Sequence, residues 1–246
     1  MEAALLTIGD ELLAGDIENT NATWLARQLA ARGVALERIT TVPDDVDVVA
    51  SHVRRYSERF DVVLCTGGLG GTPDDMTMES VAAAFDRDLV VDEAAREDIE
   101  RTVAAIADEY PNIDVNVERH ASLPEGARPL LNGEGLSPGC VVENVYVFPG
   151  IPREMKAMFA DVVEAFGGDL QSRTLLTPLP EAEVTPTLEA ARDDLPEVVL
   201  GSYPSRRGVP NRVKITGERA ADLDRAEAWL RERIEVHDEE EAEREA

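Results

Sequence analysis

Apolar and polar positions alternate along the first third of the chain in a pattern that predicts strands and helices in turn. Short apolar runs cover residues 3 to 8, 34 to 42 and 61 to 66, as expected of strands buried in a sheet. Between them, residues 20 to 32 and 45 to 59 place apolar side chains at helical spacing. The order strand, helix, strand, helix, strand predicts a parallel sheet with right-handed crossovers.

Residues typical of helix ends support this division. Asn19 precedes the first helix and Gly33 ends it, whereas Pro43 and Asp44 precede the second. A third helix is expected from residue 77 to residue 85, after a glycine-rich loop.

The pattern becomes less regular after this third helix. Residues 88 to 91 predict a short strand and residues 92 to 109 an acidic helix, while the Pro-, Gly- and Asn-rich stretch from 111 to 139 predicts loops with brief strands. A hairpin through Val147 and a helix that starts beside Pro152 follow.

The chain is expected to form two domains and a tail. Residues 1 to 168 make up the α/β domain, and residues 169 to 236 predict strand, helix, strand, strand, helix in a small α+β domain. Residues 237 to 246 contain too few apolar side chains to pack, which predicts a disordered acidic tail.

Composition narrows the classes of function. The 246 residues carry a formal net charge of −26, and Lys156 and Lys214 are the only lysines. Such acidity argues against nucleic acid or an anionic membrane as a partner and is typical of a surface adapted to high salt. Cys65 and Cys140 lie in no metal or redox motif, and no apolar run approaches the ~20 residues that span a bilayer. We therefore expect a soluble, cytoplasmic protein from a salt-loving source.

The glycine-rich loop "TGGLGGTPDDMT", residues 66 to 77, is the strongest candidate for a binding site. Glycines after a buried strand let the backbone approach an anion closely, and the start of the next helix points N–H groups toward it. The spacing fits neither the dinucleotide motif GxGxxG nor the P-loop, so a different phosphate-binding loop is predicted.

Carboxylates surround this loop. Asp74 and Asp75 would repel a phosphate unless a divalent cation such as Mg²⁺ lay between them. Asp44 follows the second strand at the same sheet edge, so two carboxylates could face one ligand. Helix capping is the alternative for Asp44, Asp45 and Asp74.

Two further segments reach the same sheet edge. "GDELLAGDIENTN", residues 9 to 21, follows the first strand, and "FPGIPREM", residues 148 to 155, follows a later one. Glu154 lies in the first turn of the helix that begins there, where it could also simply complement the helix dipole.

Histidine and serine chemistry is not expected. His52, His120 and His237 are scattered along the sequence, which argues against a histidine metal site or histidine-based catalysis. The segment "GLSPG" lacks the spacing of a GxSxG nucleophile elbow, so a hydrolase triad is not predicted.

These four segments, "GDELLAGDIENTN", "TGGLGGTPDDMT", "SPG" and "FPGIPREM", resemble in order and spacing the molybdopterin-binding domain of MoaB/Mog-type proteins and of the competence/damage-inducible protein A (CinA) family. The N-terminal portion of CinA is the nearer match. The resemblance implies a three-layer α/β/α sandwich with a mostly parallel sheet, followed by a KH-like or ferredoxin-like α+β domain. It also implies self-association into a homo-oligomer.

The resemblance carries functional expectations as well. It implies Mg²⁺-dependent hydrolysis of an ADP-ribose-like pyrophosphate, with adenylyl transfer to molybdopterin or non-catalytic binding of molybdopterin or a nucleotide as alternatives. Asp44 and Asp75 would be the catalytic and metal-binding residues. The expected ligand-binding residues are Gly9, Asp10, Glu11, Asn21, Thr66, Gly67, Gly68, Gly70, Gly71, Thr72, Asp74, Thr77, Ser137, Pro149, Gly150 and Glu154.

Two positions depart from the pattern of that family. Gly71 replaces the usual proline of the glycine loop, and Asp10 replaces a small polar residue in the first motif. The first change is expected to loosen the loop, and the second adds a negative charge beside the ligand.

Overall fold

The computed structural model describes residues 1–205 and 209–237, and its contacts divide the chain into two compact units. The first unit comprises residues 1–167, and the second begins at Gly168. The expected disordered tail, from 238 onward, lies outside the described residues.

A six-stranded sheet forms the centre of the first unit, in the order β2-β1-β3-β8-β7-β6. The pairs β1–β2, β1–β3 and β3–β8 are parallel, and β6, β7 and β8 pair in antiparallel fashion. Strands β4 and β5 form a separate antiparallel pair. The bounds are β1 (Glu2–Ile8), β2 (Ala35–Val42), β3 (Val62–Thr66), β4 (Leu89–Val91), β5 (Ser122–Pro124), β6 (Arg128–Leu130), β7 (Gly139–Val142) and β8 (Val145–Phe148).

Helices cover both faces of this sheet. One face packs under α2 and α7, around Leu25, Leu29 and Phe159, and the other packs under α3, α4 and α5. The three-layer α/β/α prediction is therefore confirmed. The helices are α1 (Asp10–Ala14), α2 (Thr20–Ala31), α3 (Val46–Arg59), α4 (Thr77–Ala84), α5 (Glu93–Ile106), α6 (Val117–His120) and α7 (Pro152–Val162).

Side-chain caps explain several helix starts. Asn19 caps α2 by accepting the Ala22 N–H at 3.1 Å, and Asp45 caps α3 by accepting the Val48 N–H at 2.9 Å. Asp44 and Asp74 are not caps, because Asp45 and Met76 occupy the N-cap positions of α3 and α4. The capping alternative is thus wrong for both of these carboxylates.

The sequence pattern missed the single-turn helices α1 and α6. Each is too short to show an apolar period, and local interactions define it instead. Gly15 ends α1 in the left-handed conformation, and Asn116 caps α6 by accepting the Arg119 N–H at 3.0 Å.

The second unit has the predicted order of strand, helix, strand, strand, helix. Its antiparallel sheet runs β10-β11-β9, and both helices contribute to one apolar cluster with that sheet. His237 N–H donates to Leu176 O at 2.8 Å, so the expected disorder does not begin at residue 237. The KH-like or ferredoxin-like assignment stays a prediction. The elements are β9 (Gln171–Thr177), α8 (Glu181–Asp194), β10 (Val199–Tyr203), β11 (Asn211–Gly217) and α9 (Ala220–Arg231).

Within residues 1–205 and 209–237, no helix is both long enough and apolar enough to cross a membrane.

Candidate functional site

The glycine loop follows β3 and is held by steric constraints that only glycine satisfies. Gly67 (φ 109°) and Gly68 (φ 63°) lie in the region of backbone conformation that other residues avoid. A Cβ on Gly67 would collide with the carbonyl oxygen of Ile8 in β1, and one on Gly68 would collide with the Thr77 hydroxyl. The loop therefore packs directly against the end of the neighbouring strand and the start of α4.

Thr77 fastens the loop to α4. Its hydroxyl donates to Gly67 O at 2.8 Å and its N–H donates to Gly68 O at 3.1 Å. The carbonyl groups of Gly67 and Gly68 therefore point toward the start of α4. The N–H groups of residues 68 to 71 have no acceptor within the described part of the chain, which leaves four consecutive donors for a ligand.

A cavity of about 440 Å³, here called the first cavity, lies in front of this loop at the carboxyl ends of β1, β3 and β8. Helices α2 and α7 also begin at its wall. Eleven of the expected site residues line it, namely Glu11, Asn21, Thr66, Gly67, Gly68, Gly70, Asp75, Ser137, Pro149, Gly150 and Glu154.

The first cavity is acidic. Four carboxylates line it, from Glu11, Glu18, Asp75 and Glu154, and among its described lining residues there is no Lys, Arg or His. Positive potential for an anion must therefore come from backbone N–H groups, from helix N-termini or from a bound cation.

Asp75 lines the first cavity and also stabilises the loop. Its Oδ2 accepts the Thr72 N–H at 2.9 Å and the Thr72 hydroxyl at 2.5 Å. Its other carboxylate oxygen, Oδ1, makes no hydrogen bond to the described residues. Asp74 is exposed and does not line the cavity.

Asp44 lies beside the loop but not on the cavity wall. Its Oδ2 accepts the Asp10 N–H at 2.9 Å, and its Oδ1 would lie 3.3 Å from a Cβ on Gly68. Burial raises the pKa of Asp44, and the negative charges of Asp10, Glu11 and Asp74 raise it further, against the opposing effect of the Asp10 hydrogen bond. The expectation that Asp44 and Asp75 both face one cavity is therefore met only by Asp75.

Seven of the expected site residues do not line the first cavity. Gly9 N–H donates to Val42 O at 3.2 Å, which joins the start of α1 to the end of β2. Gly71 lines a neighbouring cavity, described below. The expected residues outside the first cavity are Gly9, Asp10, Asp44, Gly71, Thr72, Asp74 and Thr77.

Asn21 joins α2 to two of the strand ends. Its Nδ2 donates to Gly150 O at 2.7 Å and to Thr66 Oγ1 at 3.3 Å. Its Oδ1 is buried and has no partner among the described residues. A buried acceptor without a partner is costly, so this atom is available for an N–H or O–H group of a ligand.

Glu154 does more than complement the dipole of α7. Its side chain is only 6% exposed, and its Oε2 accepts Asn132 Nδ2 at 2.7 Å. Asn132 also donates to Ser137 O at 2.9 Å, so it connects the "FPGIPREM" and "SPG" segments. The pattern could not reveal this contact, because Asn132 comes from the irregular stretch.

A second cavity of about 760 Å³ adjoins the first. The two share Gly70, Ser137, Ile151 and Glu154 in their walls. The second cavity also contains His120, which sequence reasoning set aside. The fold brings this histidine beside the loop: its Nδ1 lies 3.2 Å from Ser137 Oγ, and its Nε2 would lie 2.9 Å from a Cβ on Gly71.

The carboxylate oxygens at this site suit a magnesium ion that also binds water and phosphate better than they suit a metal ion held by protein side chains alone. No group of three or more His, Cys, Asp or Glu side chains within residues 1–205 and 209–237 could hold a metal ion. Mg²⁺ commonly uses one or two carboxylates together with water and phosphate oxygens. Asp75, whose Oδ1 has no hydrogen-bond partner among the described residues, is compatible with that pattern.

Comparison with known proteins matches each of the two units to a family. Residues 4–167 match the family described as "Probable molybdopterin binding domain", and residues 169–242 match the "FAD synthase, middle domain". A protein of Archaeoglobus fulgidus is 37% identical over 205 residues, which cover 83% of this chain and 86% of that protein. A CinA-like protein of Frankia casuarinae is 46% identical over 165 residues, but the match covers only 38% of its length.

A solved structure of the protein CinA from Thermoplasma acidophilum, described as being of unknown function, is similar as well. It is 34% identical, with a TM-score of 0.58, and the match covers 67% of this chain and 97% of that one. The match over residues 4–167 and these relatives show that the chain belongs to the molybdopterin-binding domain family, as a CinA-like member.

Proposed function

We propose that this chain binds the phosphate of a nucleotide or pterin on its glycine loop and hydrolyses an ADP-ribose-like pyrophosphate with the help of Mg²⁺. The observation that carries this proposal is the row of four N–H groups without acceptors, at residues 68 to 71, beside an acidic cavity. Donors alone would suit any anion, whereas donors combined with carboxylates suit a phosphate that arrives with a cation.

The wall of the first cavity also offers contacts for the sugar and the heterocycle of such a ligand. Asn21 Oδ1 would accept a hydrogen bond from a ligand hydroxyl or N–H group. Pro149, Gly150 and Ile151 form a face without charged side chains, against which a sugar or a heterocycle could pack.

Hydrolysis requires a water oxygen to attack one phosphorus atom while the bridging P–O bond breaks. Two phosphate monoesters result, and the proton of the water must pass to a base. A bound Mg²⁺ would neutralise charge on the phosphate oxygens. Asp75 would hold the ion through its Oδ1. Asp44, the other expected catalytic residue, lies outside the first cavity, so the proton would pass to a carboxylate of the cavity wall such as Glu11.

Adenylyl transfer to molybdopterin is the second candidate. It is favoured by the description of the matching family as molybdopterin-binding, and it also breaks a P–O–P bond beside a metal. A non-catalytic module that holds a nucleotide or molybdopterin is the third candidate. In that case the carboxylates would serve only to shape the loop, as Asp75 does through Thr72.

Calorimetric titration distinguishes these candidates. Purified protein in Mg²⁺ and high salt is titrated in parallel with ADP-ribose, ATP and a molybdopterin precursor, and each mixture is then analysed for products. Binding and cleavage of ADP-ribose to AMP and ribose 5-phosphate is the expected result. Transfer of AMP to the pterin would replace the leading proposal by the second, and binding without products would replace it by the third.

A further inference from the structure

One ring nitrogen of His120 contacts Ser137, and the other makes no hydrogen bond to any described residue. Its Nδ1 lies 3.2 Å from the hydroxyl oxygen of Ser137, a residue that lines both cavities. Its Nε2 makes no hydrogen bond to any described residue, and the His120 side chain lines the second cavity together with Gly71. A half-buried ring held in this way presents a polar atom to whatever occupies that cavity.

The glycine loop leaves room for this ring. A Cβ on Gly71 would lie 2.9 Å from His120 Nε2, closer than side-chain carbons normally approach. Arg119, the preceding residue, donates to the carbonyl oxygens of Gly71, Thr72 and Asp75 at 3.3, 2.9 and 3.0 Å. The end of α6 is therefore fastened to the loop, and His120 Nε2 lies beside the last of the free N–H groups.

The charges of the second cavity differ from those of the first. Its lining includes Arg101 and Arg153 in addition to His120. Arg101 is paired with Asp98 at 2.6 Å and Arg153 with Glu134 at 3.2 Å. The positive charge of each arginine is thus partly neutralised by a carboxylate, whereas no carboxylate is hydrogen-bonded to His120 in the described part of the chain.

We propose that the second cavity receives the second phosphoryl group of a diphosphate-bearing ligand, and that His120 Nε2 donates a hydrogen bond to it. When the Ser137 hydroxyl donates to Nδ1, across the 3.2 Å that separate the two atoms, the ring proton lies on Nε2 and is available to the phosphoryl group. Gly70, in the wall of both cavities, marks the point at which the ligand passes from one to the other. This inference rests on the proposed phosphate site and adds a preference for diphosphates over monophosphates.

Calorimetry with AMP and ADP in Mg²⁺ tests the inference through the ratio of the two affinities. The unmodified protein is expected to bind ADP roughly tenfold more tightly than AMP, which is the size of one hydrogen bond to a charged group. His120→Asn keeps a polar atom near the Nδ1 position but loses Nε2, so it should lose this preference with AMP affinity unchanged. His120→Gln restores an N–H near the Nε2 position and should recover most of the preference.

Gly71→Ala provides an independent test, because its new methyl group would push the ring away without removing it. It should reduce the ADP preference as His120→Asn does. Gly167→Ala is the matched control, since a Cβ there meets nothing within 4 Å, and it should keep the preference. Thermal melting checks that each variant is folded.

The inference is overturned if His120→Asn keeps the ADP preference, or if the unmodified protein binds AMP and ADP equally well. Either result leaves the phosphate site of the proposed function intact. If neither AMP nor ADP binds, the phosphate site and the inference fall together.

Discussion

The two halves of the glycine loop serve different cavities. Gly67 and Gly68 line the first cavity, which has four carboxylates and no basic side chain among its described residues. Gly71 lines the second cavity, in which Arg101, Arg153 and His120 accompany three carboxylates. The first half is shaped by backbone contacts, and the second half by side chains that reach it from α6.

This difference bears on the proposal that a strongly acidic chain binds a phosphate. In the first cavity, free N–H groups and helix N-termini supply positive potential without a basic side chain. In the second cavity, a few basic side chains remain, and most are already paired with carboxylates. The two halves should therefore respond differently to substitution.

The largest effect is expected from Gly67→Ala. The new Cβ would collide with the Ile8 carbonyl oxygen and would hold alanine at φ 109°. The free energy of unfolding should fall by about 3 kcal/mol or more, measured by chemical denaturation. Gly167→Ala should stay within about 0.5 kcal/mol of the unmodified protein. Equal stability of both variants would show that the loop does not pack against β1.

Asp75→Asn should abolish turnover while the protein still binds its nucleotide. The amide keeps an acceptor for Thr72 but removes the charge that a cation requires. A loss of about 100-fold in kcat is expected from steady-state kinetics, with nucleotide affinity in calorimetry changed far less. Asp47→Asn, exposed in the first turn of α3, is the matched control. Turnover that persists in Asp75→Asn would remove Asp75 from the catalytic site.

Asn132→Ala tests the hydrogen bond that holds Glu154, a residue in the walls of both cavities. It would leave the buried Glu154 carboxylate without its amide donor, which should lower the free energy of unfolding by about 2 kcal/mol. Adding Glu154→Gln removes the charge, so the double variant should lose less than the two single variants combined. Additive losses in denaturation experiments would mean that the two side chains do not depend on each other.

Asp44→Asn should have the smallest effect on stability, and it should stabilise the protein, whereas Gly67→Ala and Asn132→Ala destabilise it. Because the pKa of Asp44 is raised in the folded protein, the folded state holds its proton more tightly than the unfolded state. The contribution of this group to stability therefore falls as pH rises through the interval from its ordinary value to the raised one. Asp44→Asn should slightly raise the melting temperature at neutral pH without Mg²⁺, and this gain should disappear in acid. A lower melting temperature at neutral pH would contradict the raised pKa.

Much of the fold follows from the apolar pattern, because long strands and helices repeat it over several turns. The parallel core β1, β2, β3 and its crossover helices were predicted in this way, with bounds shifted by one or two residues. The single turns α1 and α6 were missed, since too few residues are present to form a period. Their bounds depend on Gly15 and Asn116, which act locally.

The candidate site was less predictable than the fold. The carboxyl ends of parallel strands bring Glu11, Asp75 and Gly150 together, and this follows from topology alone. The positions of His120 and Asn132 depend on contacts across the irregular stretch from 111 to 139, where spacing carries no signal. The displacement of Asp44 behind Gly68 likewise reflects its bond to Asp10, which no motif encodes.

The most direct test of the account is cleavage of ADP-ribose in Mg²⁺, followed by phosphorus NMR of the products. If the protein hydrolyses ADP-ribose, the pyrophosphate signals are replaced by those of AMP and ribose 5-phosphate. EDTA and Asp75→Asn are each expected to stop this conversion, while Asp47→Asn is expected to leave it unchanged. Unchanged pyrophosphate signals with the unmodified protein, under conditions in which calorimetry shows that ADP-ribose is bound, would contradict the proposed hydrolysis.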